Sequence, residues 1–274
     1  KTRSGLDRDM TKVDKTELIR LERDGSVGIL RFLQSDKRNP YSIAFAEELV
    51  TQLHAAERDD TIRAVVMTGG DHFSSGGDLV GFQSEITKGA RATSEMIDEV
   101  HEGGRAAYRF RKPLISAVCG VAYGAGLSLA LSADIVVAAE DARLCEVFAR
   151  VGGCPDTGSS WLLQQRAGAG VARMLVLTGR EIDGRTAKDL RVVEECVPAD
   201  QVEARALDTA REIARHPMFG VQTAKRVMRA AAECGYLEAL DIERDAQSIL
   251  LCAHDFPEAM KAFSEKRKPE FKDR

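Results

Sequence analysis

The chain has no cysteine pair, no histidine-rich tract, no long apolar run and no excess of one charge. Its six cysteines (119, 145, 154, 196, 234 and 252) are scattered, with no C-x-x-C spacing. That scatter argues against a zinc site, and a disulfide framework is foreign to a chain of 274 residues. The cysteines are expected to be reduced and in or near the core. No apolar run approaches the ~20 residues of a membrane span. The polar start, residues 1–15, lacks the apolar stretch of a signal peptide and reads as a flexible tail. A reducing, cytoplasmic setting is the default. A net charge of −4 gives no electrostatic case for nucleic acid or an anionic membrane. The basic cluster Lys266-Arg267-Lys268 has acidic neighbours and reads as a solvated helix end.

What is present is ordinary in bulk: 44% hydrophobic and 30% charged residues, enough to bury a large core. No internal repeat or low-complexity linker divides the chain. Glu17–Arg23 and Val27–Phe32 read as a hairpin. Ser42 is placed to cap a helix running to Arg58, with Ala46, Leu49, Val50, Leu53 and Ala56 on one face. Strands are expected at Ala64–Thr68, Leu114–Val118, Ile135–Ala139 and Val193–Val197. Helices are expected near Ala92–Arg111, after Gly126 to Ala133, and over Ser160–Ala167 and Val171–Thr178. Four more follow over Gln201–Arg215, Val221–Ala232, Leu237–Leu251 and Pro257–Lys266. Strands alternating with helices imply an α/β fold whose strands are buried on both faces.

Two glycine-rich loops carry the chemistry. The first is Phe73-Ser74-Ser75-Gly76-Gly77-Asp78-Leu79. The second runs from Gly120 to Gly124-Ala125-Gly126-Leu127. Each follows an apolar strand and precedes a helix, so each can aim backbone N–H groups at an oxyanion. Gly124-Ala125-Gly126 with Glu140 at the end of the next strand is a weak match to a dinucleotide turn. The third glycine position holds Leu129, which counts against it.

Together the loops are more specific. Thr68-Gly69-Gly70 with the first loop resembles the first signature of the crotonase (enoyl-CoA hydratase/isomerase) superfamily. Lys112-Pro113-Leu114-Ile115-Ser116-Ala117-Val118-Cys119-Gly120, with Gly124-Ala125-Gly126 and Ala130-Leu131-Ser132-Ala133-Asp134, resembles its second. The likeness extends to Lys37-Arg38-Asn39-Pro40, to Thr178-Gly179-Arg180 and to the ending from Ala262 to Pro269. It implies a spiral of ββα units over residues 16–200 and a helical trimerisation region over 201–274. It also implies an acyl-CoA thioester substrate, no separate cofactor and no metal, and a homotrimer or a dimer of trimers. By motif position the two oxyanion donors are the amides of Ser75 and Ala125. Arg38, Phe73, Gly77, Leu79 and Gly124 match CoA- or substrate-contacting positions, as do Phe263 and Lys266 near the C-terminus.

The positions of the two glutamates of the superfamily's hydratases hold Ser128 and Phe148 here, neither a base at neutral pH. One acid does match: Gly152-Gly153-Cys154-Pro155-Asp156-Thr157-Gly158 resembles the segment in which isomerases and dehalogenases place an aspartate. The interval from Phe148 to Asp156 matches that between the two acids of dienoyl-CoA isomerases. Asp156 can also be read as a helix N-cap, which would lower its pKa, whereas an apolar pocket would raise it. The favoured reaction is a shift of the double bond of a 3-enoyl-CoA to the 2-position. The alternatives are an atypical hydratase or hydrolase, with Glu146 as acid, or a dehalogenase, for which Phe148 stands where tryptophan is usual. A scaffold or RNA-binding member comes last. Glu146 adjoins the pocket strand, with strand alternation turning it from the acyl group. His72 reads as a loop residue, Trp161 and Phe148 as pocket or core packing.

Overall fold

The computed structural model describes residues 17–273; the tail expected at 1–15 lies outside them. The chain opens with an antiparallel hairpin, β1 (Ile19–Asp24) and β2 (Val27–Phe32). Helix α1 (Ile43–Arg58) begins as expected, with the Ser42 hydroxyl accepting the Phe45 amide at 3.1 Å. Its buried stripe includes Phe45, Ala46, Leu49, Leu53 and Ala56, and Val50 is half-buried. Then come β3 (Ala64–Thr68), α2 (Leu79–Ile86) and α3 (Ala90–Arg109).

Two ββα units follow. The first is β4 (Leu114–Val118), β5 (Val121–Tyr123) and α4 (Ala125–Leu131). The second is β6 (Ile135–Ala139), β7 (Arg143–Cys145), a 3-10 turn at Val147–Val151 and α5 (Ser159–Thr178). The two helices expected across that last stretch are there as the two arms of α5, which meet at Gly168, where φ is +77° and the backbone is not helical. Next are β8 (Glu181–Asp183), α6 (Gly184–Asp189) and β9 (Glu195–Val197). The chain ends in helices α7 (Val202–Ile213), α8 (Met218–Ala231), α9 (Tyr236–Cys252) and α10 (Asp255–Ser264).

One six-stranded sheet runs β1-β2-β3-β4-β6-β9, parallel from β2 onward, and β5-β7-β8 form a second sheet. Every residue of β3 and β4 is buried, as a parallel sheet covered on both sides requires. All six cysteines are free, and four are at least half-buried, but Cys154 and Cys252 are exposed, one in the loop before Asp156 and one at the end of α9.

Candidate active site

The two glycine loops leave neighbouring parallel strands, β3 and β4, and are sewn together by backbone. The Ser74 amide donates to the Val121 carbonyl, and the Tyr123 amide returns a bond to Ser74, both at 3.0 Å. Two glycines make this approach possible. A Cβ on Gly76, where φ is +89°, would stand 2.5 Å from the Tyr123 carbonyl oxygen, and one on Gly126 would stand 2.6 Å from the Ser74 Cβ. Asn39 holds the first loop from the other side. Its amide nitrogen donates to the carbonyls of Gly69 and His72, and its own carbonyl accepts the Ser74 hydroxyl at 2.7 Å.

This bonding corrects one expectation. The Ser75 amide is already committed, donating to the Arg38 carbonyl at 2.7 Å. Arg38 presents that carbonyl because it sits in a left-handed turn, with φ of +60°. Ala125, the first residue of α4, has no intrahelical acceptor and donates to none among the described residues. The other free amide of the first loop is Gly77, whose N–H likewise meets no acceptor among them. The Ala125 nitrogen lies 3.7 Å from where a Cβ on Gly76 would be, so the amides of Gly77 and Ala125 share one neighbourhood.

The binding residues expected from the sequence divide. Phe73 is fully buried, its ring edge-on to Phe32 at 5.2 Å. Its side chain belongs to the core, so any contact with CoA would be through its backbone. Leu79 is exposed at the start of α2, which the Asp78 carboxylate caps by accepting from Gly81 at 3.0 Å. The Phe148 ring packs against Gly124, 3.4 Å from a Cβ built there. Phe263 and Lys266 are exposed at the end of α10, and neither lines the cavity beside Asp156. His72 stacks on Gly120, its Nδ1 buried without a partner. Glu140 is paired with Arg185 at 2.5 Å.

Asp156 lies between the 3-10 turn and α5, and it does not cap the helix. Gly158 occupies the cap position of α5 with no side-chain bond, and the Asp156 carboxylate accepts instead from the Thr157 hydroxyl at 3.0 Å. Burial lifts its pKa above the ordinary aspartate value, with the Thr157 hydroxyl and the His101 ring pulling the other way. His101 Nε2 accepts the Thr157 amide at 3.2 Å, which fixes the residue after Asp156 in a left-handed turn, φ +50°. Tyr41, whose hydroxyl donates to the Val100 carbonyl at 3.2 Å, is pushed up by burial and then by the Asp156 charge. Ser128, at a hydratase acid position, is wholly buried. Its hydroxyl reaches the carbonyls of Gly124 and Asp156, at 3.0 and 3.1 Å, and so ties the second glycine loop to the aspartate loop.

Beside this cluster opens a cavity of about 400 Å³, with His101, Tyr108, Thr157, Trp161 and Glu233 among its walls. Tyr108 and Trp161 meet edge to face at 5.6 Å, giving it an aromatic side. His101 and Tyr41 were not legible as site residues. Each is a single residue on or before an amphipathic helix, and only the packing of α1 against α3 brings them to Asp156.

A second acid is joined to the Asp156 loop through Ser159, whose amide donates to the Asp156 carbonyl at 3.1 Å. Glu146, directly after β7, is 1% exposed. Its Oε2 accepts the Ser159 hydroxyl at 3.1 Å, and its Oε1 is buried without a partner. Burial, then the Asp156 charge, raise its pKa from an ordinary 4.5 to about 7, with the Ser159 bond opposing. The native state therefore binds the Glu146 proton more tightly than the unfolded chain does, and stability falls as pH rises between those two values. At about 1.4 kcal/mol per pKa unit, ionising Glu146 in the fold costs about 3 kcal/mol. Glu146→Gln removes that cost. Its unfolding free energy in urea should gain on wild type by up to about 3 kcal/mol between about pH 5 and about pH 8.

The chain matches the family model described as enoyl-CoA hydratase/isomerase over residues 22–274. It is 34% identical over 260 residues to the 2,3-dehydroadipyl-CoA hydratase of Escherichia coli, covering 94% of this chain and 100% of that protein. It is 32% identical over 257 residues to the 1,2-epoxyphenylacetyl-CoA isomerase of the same organism, covering 93% and 98%. Among solved structures, an enoyl-CoA hydratase from Polaromonas sp. JS666 superposes with a TM-score of 0.88 at 30% identity, over 93% of this chain and 99% of that one.

Proposed function

The chain belongs to the enoyl-CoA hydratase/isomerase family, and on that premise we propose that it moves the double bond of a 3-enoyl-CoA to the 2-position, with Asp156 as the proton carrier. It is an acyl-CoA enzyme of the hydratase/isomerase type, and the named relatives include both activities. What favours isomerisation is the pair of positions where hydratase acids belong. Ser128 is spent on two carbonyls and Phe148 is apolar, so neither activates water.

In this reading the thioester oxygen sits between the amides of Gly77 and Ala125. The ionised Asp156 carboxylate takes a proton from C2, and the electron pair passes through the carbonyl to give an enolate held by the two N–H groups. The conjugated dienolate then takes the same proton back at C4, leaving the 2-enoyl thioester and a carboxylate ready for the next cycle. No water is consumed. The acyl tail runs into the cavity bounded by Tyr108 and Trp161. Exposed apolar side chains on the terminal helices, among them Tyr236, Leu237 and Phe263, are assigned to subunit contacts in a homotrimer or a dimer of trimers.

The test is to supply 3-enoyl-CoA and 2-enoyl-CoA thioesters of several lengths and follow migration and hydration separately. Migration should dominate and depend on Asp156. Rapid hydration that survives Asp156→Ala would overturn the assignment in favour of an atypical hydratase.

A further inference from the structure

Proton abstraction next to a thioester needs a base stronger than an ordinary aspartate, and burial takes Asp156 in that direction. The Thr157 hydroxyl and the His101 ring work against that burial, so a further push upward would make it a better base. Glu146 is the feature that the reaction has not used. It is sealed from solvent, one of its oxygens has no partner, and the other accepts a single hydroxyl. A carboxylate kept from water with one donor is poorly satisfied. That donor, Ser159, also gives its amide to the Asp156 carbonyl at 3.1 Å, so one residue joins the two acids. The Asp156 charge acting on Glu146 has the same sign.

The other ionisable groups nearby are accounted for. Cys145, its neighbour on β7, donates its thiol to the Gly179 carbonyl at 3.1 Å, and burial pushes its pKa up. Arg143 of β7 and Glu181 of β8 pair with each other at 2.8 Å. Arg150 of the 3-10 turn acts on Cys145 and Glu181. Helix α4, packed on α5, carries no ionisable side chain, and Ser159 is the group that α5 offers.

We propose that Glu146 is a positioning residue that tunes Asp156: ionised, it is a buried like charge that makes Asp156 a stronger base, and protonated, it leaves Asp156 weak. The two carboxyls titrate as a pair, with the second proton leaving near pH 7. Below that pH the pair holds one proton and a single charge. Above it both carboxyls are charged, and transfer of the substrate proton to Asp156 relieves the repulsion as the negative charge moves out to the thioester oxygen. This inference rests on Asp156 being the proton carrier.

Infrared difference spectra against pH read the coupling without any substrate. The wild type should lose a protonated-carboxyl band with a midpoint near pH 7, and Glu146→Gln should lack it. Asp156→Asn should move that midpoint down, because the repelling charge is gone. Ser159→Ala should move it up, because the one donor to the carboxylate is gone. In kinetics, kcat for the wild type should rise again through neutral pH. Glu146→Gln should lose that rise, falling by about three- to tenfold on the alkaline side with KM little changed. A band midpoint indifferent to Asp156→Asn, or a Glu146→Gln profile parallel to wild type, would overturn the proposal. Coupling in the spectra without turnover of any 3-enoyl thioester would leave the pair standing and overturn the assigned reaction instead.

Discussion

Asp156→Asn should lower kcat for the double-bond shift by about 10³- to 10⁴-fold, the upper part of the range for a positioned acid–base group. KM should stay within about threefold of wild type, because the exchange removes a proton acceptor and little else. The structure explains why this substitution reads chemistry and not folding. The side chain caps no helix, since Gly158 holds that position. Its one side-chain bond comes from the Thr157 hydroxyl, which an asparagine oxygen accepts equally well. Burial raises the Asp156 pKa, so its charge is a burden to the native state, and the neutral amide should unfold no more readily than wild type at neutral pH. The acid side of the pH–rate profile follows with the same sign. Activity falls as pH drops through a midpoint above the usual aspartate range, because the protonated carboxyl accepts nothing. Progress curves at several pH values, with urea unfolding of both proteins, check these expectations together. Equal losses of turnover and stability would mean that Asp156 holds the loop and does not carry protons.

The elements legible in the sequence were those whose cause is local. Strands β3, β4 and β6 are short apolar runs buried on both faces, and the structure begins and ends them where the pattern does. Helix α1 announces itself through Ser42, and the kink in α5 falls in the gap left between the helices expected at Ser160–Ala167 and Val171–Thr178. Strands β5, β7 and β8 were missed because three residues carry no period, and pairing with one another is what defines them. The site was readable to the same depth. Two converging loops, a missing pair of hydratase acids and an aspartate were all visible as residue types. The availability of a backbone amide was not. Ser75 loses its N–H to a carbonyl presented by the left-handed turn at Arg38, a tertiary bond that no local pattern announces. Phe73 looked like a loop side chain, but the hairpin strand β2 brings Phe32 against it. Glu146 gave a faint signal as a lone acid inside the apolar run from Leu144 to Phe148. Its partner Ser159 becomes a neighbour only when α5 folds back.

The amide assignment predicts an effect nearly as large, and it separates neighbours in one loop. Replacing a single backbone N–H by an ester oxygen, through the α-hydroxy analogue of the residue, deletes a donor without changing the side chain. At Ala125 or Gly77 this should lower kcat by about 10²- to 10³-fold, equivalent to about 2.7–4 kcal/mol of transition-state stabilisation. At Ser75 the same change should leave kcat within about tenfold and cost instead about 1 kcal/mol of stability, because its N–H serves the Arg38 carbonyl. Each ester also weakens the carbonyl just before it, so every variant should lose some stability. Gly76 accepts from Tyr41 at 2.8 Å and Gly124 from Ser128 at 2.9 Å. These secondary losses fall on unfolding and not on the chemical step, so comparing kcat with the urea midpoint separates them. A Ser75 ester as inactive as the Ala125 ester, beside a Gly77 ester of nearly full activity, would return the oxyanion role to Ser75. It would mean that the Arg38 bond opens when substrate arrives.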